Sequence, residues 1–151
     1  MNHIEAIRAP SRYVPEPHLA IAVDGVPLDE LLDAARPGLQ LAGLVSSLLG
    51  WFHHGEDGAV AWQRILPEVG TTSYAPVLIC PDDLDYSCSV VMAEVVAEPD
   101  VIRWDRLGLD ATREGVVGSF VRWEPGLGPF RFERAEYEAC LEAFKASGEQ
   151  G

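Results

Sequence analysis

The sequence is short of positive charge, with 11 Lys and Arg against 24 Asp and Glu and a formal net charge of -13. The few basic residues form no run. Binding to nucleic acid draws its affinity from clustered Lys and Arg that neutralise phosphates, so this composition excludes a nucleic-acid partner, and anionic membrane surfaces are disfavoured for the same reason. Cysteine is also scarce. The 3 cysteines, Cys80, Cys88 and Cys140, are an odd number at low density, unlike the disulfide framework of a small secreted domain. No apolar run reaches the roughly 18 residues that a membrane span needs, and the N-terminus lacks a basic segment followed by an apolar one. These absences together lead us to expect a cytoplasmic protein with reduced thiols and no membrane association.

Catalytic motifs are missing as well. The sequence contains no HExxH pair, no GxSxG nucleophile elbow, no P-loop and no dinucleotide-binding glycine fingerprint. No enzyme class can be named from it.

What the chain does have is apolar content, 48% over 151 residues, spread in short segments. That is enough for one core and one domain. Residues 1–18, with Pro10, Pro15 and Pro17, read as an extended and partly disordered lead-in, with a short turn of structure near Ile4 to Arg8. The run His18 to Asp24 reads as a buried strand ending at the Asp24-Gly25 turn. After Pro27, Leu28, Leu31, Leu32 and Ala35 fall at helical spacing, and Asp29 and Glu30 suit the positive end of the helix dipole. Leu41, Leu44, Val45, Leu48, Leu49 and Phe52 predict a second helix. Ala59 to Leu66 fits neither period well and leans towards strand. Ala75–Cys80, Ser87–Ala97 and Val101–Leu107 are rich in β-branched or aromatic residues between Pro-Asp turns, and predict adjacent antiparallel strands. Val116–Trp123 predicts one more strand, after which the loop from Pro125 to Pro129 ends the sheet. Glu133–Ala146 predicts an amphipathic helix burying Tyr137, Cys140, Leu141 and Phe144, with a frayed tail at 147–151.

The expected fold is therefore α+β. It has a central, mostly antiparallel sheet, two helices after the first strand and a C-terminal amphipathic helix, in a single domain over residues 19–146. Trp51, Trp62, Trp104 and Trp123 are either core or interface residues, which exposure decides.

Two segments concentrate groups capable of chemistry. Cys80-Pro81-Asp82-Asp83-Leu84-Asp85-Tyr86-Ser87-Cys88 places two thiols and three carboxylates between two strands. Packing of like charges there calls for a cation, backbone donors or an arginine. One reading is a divalent metal site, with Cys80 and Cys88 as soft ligands or Asp82, Asp83 and Asp85 as hard ones, joined by His53 or His54. The spacing matches neither a C-x-x-C hook nor a calcium loop. The simpler reading makes the cysteines small core residues at strand ends and the aspartates turn formers, with no cofactor at all. The second segment, His53-His54-Gly55-Glu56-Asp57, pairs imidazoles with carboxylates as a general base and its orienting partner would. A solvated loop at a helix end satisfies the same residues. A nucleophilic Cys80 or Cys88 is disfavoured, because neighbouring carboxylates raise a thiol's pKa.

The runs VLICPDDLDYSCSVVMAEV, VDGVPLDELL and IRWDRLGLD resemble a family of small acidic bacterial proteins of uncharacterised function, over about residues 19 to 144. That resemblance assigns no residue roles. In size and charge such proteins are similar to the immunity partners of secreted toxins. The leading expectation is a cytoplasmic interaction protein whose acidic surface engages a basic protein partner. The alternative is a metal-dependent or small-molecule enzyme using the 53–57 and 80–88 segments. A third expectation, a structural subunit of a larger assembly, calls for an exposed apolar patch.

Overall fold

A computed structural model describes residues 1–49, 55–81, 89–113 and 116–149. The expected class holds: the chain is α+β, with antiparallel sheets and a C-terminal helix. Strand β1 (Ile4–Ala9) pairs antiparallel with β2 (His18–Val23), and β2 pairs with the two-residue β3 (Val26–Pro27) through a tight turn at Asp24 and Gly25. Helix α1 (Leu28–Ala35) follows at once, burying Leu28 and Leu32, and a short 3-10 turn at Pro37–Leu39 stops it. The second sheet begins with β4 (Val45–Ser46), which pairs with β5 (Thr72–Ile79). Helix α2 (Gly55–Arg64) lies between them in sequence. Strands β5, β6 (Val90–Ala97) and β7 (Val101–Asp110) then form an antiparallel meander.

The ten-residue β7 carries two partners on one edge. β8 (Val121–Trp123) pairs with its C-terminal half and β9 (Phe130–Glu133) with its N-terminal half. Helix α3 (Arg134–Glu149) leaves β9 directly and packs on β1, β7 and β9. A single core joins the two sheets and the three helices, through Val23, Leu28, Ile65, Val77, Val95, Trp104, Phe132 and Phe144 among others.

Five sequence expectations need correction. Of the strand expected over Val116–Trp123 only Val121–Trp123 is a strand, because residues 116–120 are turns. Ile4–Ala9 is no lead-in but a strand paired residue for residue with β2, because Ile4 is buried and anchors the segment in the core. The helix expected over residues 41–52 is absent from its described part: Gln40 and Gly43 take positive φ values of 55° and 98°, and Val45–Ser46 is a strand. Leu41, Leu44, Val45, Ser46, Ser47, Leu48 and Leu49 are all buried, and a segment buried on every side carries no one-faced period to read. The strand expected at Ala59–Leu66 is instead the second half of α2, with Ala61 and Ile65 buried one turn apart. The sheet also continues past the Pro125–Pro129 loop into β9, where Phe130 and Phe132 alternate inward.

Candidate functional site

Of the candidate ligands His53, His54, Cys80, Asp82, Asp83, Asp85 and Cys88, Cys80 alone is described, while Glu56 and Asp57 fall in the first turn of α2. The half-buried free thiol of Cys80 packs against the core, and the Cys80 N–H donates to the Ser89 carbonyl at 3.2 Å, closing the end of the β5–β6 hairpin. His53, His54, Asp82, Asp83, Asp85 and Cys88 lie outside the described residues, as does Trp51. Among the described residues no three His, Cys, Asp or Glu side chains are grouped to hold a metal ion. The third cysteine, Cys140, is buried in the core, and that burial pushes its thiol up to about 12.

Buried polar groups gather where β2, α1 and β4 meet. His18, Asp29, Ser46 and Ser47 are all buried. Asp29 accepts from the Gly43 N–H at 2.8 Å, the Ser47 hydroxyl donates to the Pro76 carbonyl at 2.6 Å, Ser46 Oγ accepts from the Leu48 N–H at 3.2 Å, and His18 Nδ1 lies 2.9 Å from the Glu16 carbonyl. Gly43 is required here twice over: a Cβ would meet the Tyr13 ring at 2.5 Å, and its φ is +98°. Between Ser11, His18, Asp29 and Ser46 lies a small, partly open cavity of about 20 Å³. That is room for about one water molecule, not for a substrate. The bonds of these side chains go largely to backbone groups, so the cluster fixes the local backbone around α1 and β4 instead of presenting reactive atoms.

The outer face of the six-stranded sheet is built differently. In the β6–β7 register Ala93 faces Leu107 and Val95 faces Trp104, which leaves Glu94 opposite both Asp105 and Arg106. This bulge turns Arg106 towards Glu94, and the two pair through Nε–Oε2 and Nη2–Oε1 contacts, each of 3.0 Å. That pairing raises the Arg106 pKa. From the flanking strands Tyr74 and Trp123 lean in over the pair. The Tyr74 hydroxyl donates to Glu94 at 3.4 Å, the Arg106 guanidinium lies 4.2 Å from the Trp123 ring centroid, and the two aromatic rings are 5.8 Å apart. Gly108 makes this possible, because a Cβ there would strike the Arg122 carbonyl and the Trp123 backbone.

Beside this platform residues 116–120 fold back over the sheet, with Gly118 against Met92 and the Tyr74 backbone. Asp110 pins them by accepting from the Thr112 hydroxyl at 2.7 Å and the Gly118 N–H at 3.0 Å. Arg64, at the end of α2, donates from Nη1 to both the Val117 carbonyl at 2.6 Å and the Tyr74 carbonyl at 3.2 Å. Val117 is thereby held inward, while Val116 and Phe120 stay 58% and 65% exposed.

The remaining charges are unevenly satisfied. Arg36, Arg103, Arg106, Arg122, Arg134 and Lys145 are engaged in ion pairs with carboxylates of the same chain. Among the described residues the exposed Glu5, Glu16, Glu30, Glu68, Asp100 and Glu133 have no ion-pair partner, and neither have the exposed Arg8, Arg12, Arg113 and Arg131. Three of these share one end of the six-stranded sheet. Glu68 precedes the Gly70 N–H that donates to the Ala97 carbonyl, Asp100 sits in the β6–β7 turn, and Glu133 lies opposite Val101 in the β7–β9 register. Glu98, paired with Arg103, belongs to the same end. No helix among the described residues is long and apolar enough to cross a membrane. Comparison with models of known protein families, with curated proteins and with solved structures found no match to this chain.

Proposed function

We propose that this protein is an interaction module whose acidic surface engages a basic protein partner, in the manner of a toxin-neutralising immunity protein. The observation that carries this reading is the set of exposed carboxylates left over once the intramolecular ion pairs are formed, with Glu68, Asp100 and Glu133 gathered at one end of the sheet. Exposed like charges cost stability by self-repulsion and contribute nothing to packing, whereas against a basic surface they steer encounter and fix orientation.

The test is capture by the immobilised full chain, run beside a variant carrying Glu68→Lys, Asp100→Lys and Glu133→Lys. All three sites are exposed, so folding should be preserved, as a thermal melt will check. A basic protein retained in stoichiometric amount by the parent chain and lost by the variant is the expected result. Equal retention by both would overturn the role given to this end of the sheet. Elemental analysis of the purified protein separates this reading from the metal-dependent or small-molecule enzyme built on segments 53–57 and 80–88. Stoichiometric zinc, iron, manganese or calcium that disappears on replacing Asp82, Asp83 and Cys88 by alanine would favour the enzyme.

A further inference from the structure

We infer that Asn2 and His3 form a latch, closed by Asp24 and opened by acid, that joins the three-stranded sheet to the six-stranded one. Strand β1 belongs to the first sheet, yet the chain just before it reaches the second, where Asn2 forms a parallel bridge with Phe132 of β9. The Asn2 N–H donates to the Arg131 carbonyl at 2.8 Å, and Asn2 Oδ1 accepts from the Arg131 N–H at 2.9 Å. The other half of the same amide serves the first sheet: Asn2 Nδ2 donates to Asp24 Oδ2 at 2.8 Å. Beside it the His3 N–H donates to Asp24 Oδ1 at 2.8 Å, and the His3 carbonyl accepts from the Asp24 N–H at 2.8 Å. An amide side chain both donates and accepts, so Asn2 links β9 to the β2–β3 turn with every polarity matched.

Asp24 is the member that acid removes. It holds a φ of 53° in the tight turn, a conformation that Asp and Asn tolerate better than most residues, and it accepts at both carboxylate oxygens. A protonated carboxyl carries a hydroxyl in place of one acceptor, so one of the two ties breaks. The charged groups facing Asp24 are His3 and the amino group of Met1. His3 in turn lies 3.3 Å from the Glu136 carboxylate of α3, through Nδ1. The His3 N–H and then the Asn2 amide hold the Asp24 carboxyl below its ordinary range. The latch is therefore closed above that range, and it opens as pH falls through the lower value of the folded chain. Opening is local. The bonds from Asn2 and His3 to Asp24 and Arg131 are exposed, whereas Ile4 is buried and the strand behind it stays paired with β2. This inference does not depend on the partner proposed above.

Two-dimensional amide NMR of the full chain tests it, followed from about pH 7 down to about pH 2. The His3 amide signal is expected to move to the position of an unstructured chain, and the Arg131 amide to shift with it. Their common midpoint should lie below the ordinary aspartate value of 3.8, with the Trp104 indole signal still at its native position. Asp24→Asn keeps an acceptor and suits the turn but takes up no proton, so both signals should lose that midpoint. Asn2→Asp sets a second carboxylate against Asp24 and removes a donor, and should leave the latch open at neutral pH with Trp104 undisturbed. A His3 amide that keeps its native position until the Trp104 signal is lost, or that is unstructured in the parent chain at neutral pH, would overturn the inference. So would a midpoint that persists in Asp24→Asn.

Discussion

On the inner face of the six-stranded sheet Trp104 is fully buried, edge-on to Phe132 at 5.1 Å, and its indole N–H donates to the Tyr137 hydroxyl at 3.3 Å. On the outer face Trp123 is half-buried and lies under a guanidinium. Both tryptophans come from the same sheet, yet one is surrounded by apolar side chains and the other by a salt bridge and water. The inner ring contributes through area removed from water and close packing. The outer ring contributes a contact between neighbours that remain solvated. One face is thus committed to stability, and the other stays partly open to solvent and contributes little to it.

The comparison is tested first by truncation. Trp104→Ala should destabilise the fold by about 3–5 kcal/mol, and Trp123→Ala by about 1 kcal/mol or less, both read from urea denaturation. Comparable losses would mean the outer platform is part of the core. A smaller effect is expected from Tyr137→Phe. The Tyr137 hydroxyl accepts from Trp104 and donates to the Ile65 carbonyl at 2.5 Å, so its removal strands two buried groups and should cost about 1–3 kcal/mol. On the outer face Glu94→Gln removes the partner of Arg106, which is 48% exposed, and should cost only about 0.5 kcal/mol because solvent screens the pair.

Alkaline pH gives the smallest effect and singles out the inner face. Burial pushes the Cys140 thiol up to about 12, and the buried Tyr137 hydroxyl shifts in the same direction. In the unfolded chain both groups ionise at their ordinary values. The stability they supply is therefore complete below the ordinary thiol range and is lost as pH rises from there through the folded value. The urea midpoint should decline above neutral pH, and less steeply in Cys140→Ala. An identical slope in both proteins would assign the decline to other groups.

How much of this was readable beforehand depended on whether a segment has two distinguishable sides. Helix α3 did: Tyr137, Cys140, Leu141 and Phe144 are buried while Glu138 and Glu142 are exposed, and the 3.6-residue period was plain. The β5–β7 meander was equally plain from its β-branched runs and intervening turns. Residues 41–49 had no polar side, so a buried extended segment looked like a helix. In α2 the early positions Gly55 to Gly58 weakened the helical signal. Strand β1 went unread because its burial depends on β2 and α3, which are distant in sequence. As for the site, the clue to the outer platform was Glu94 itself, a lone charge in the apolar strand VVMAEVVA, which calls for a cation on a neighbouring strand. Which arginine answers it depends on the β7 bulge, and no sequence pattern announced that bulge.

The central claim is recognition of a basic surface by the unpaired carboxylates. Its most direct test is the dissociation constant of the captured complex, measured by calorimetric titration across a salt series. The account expects affinity to fall steadily as salt rises, with a shallower slope once Glu68, Asp100 and Glu133 are reversed. An affinity that is independent of salt, or that strengthens with it, would contradict the claim.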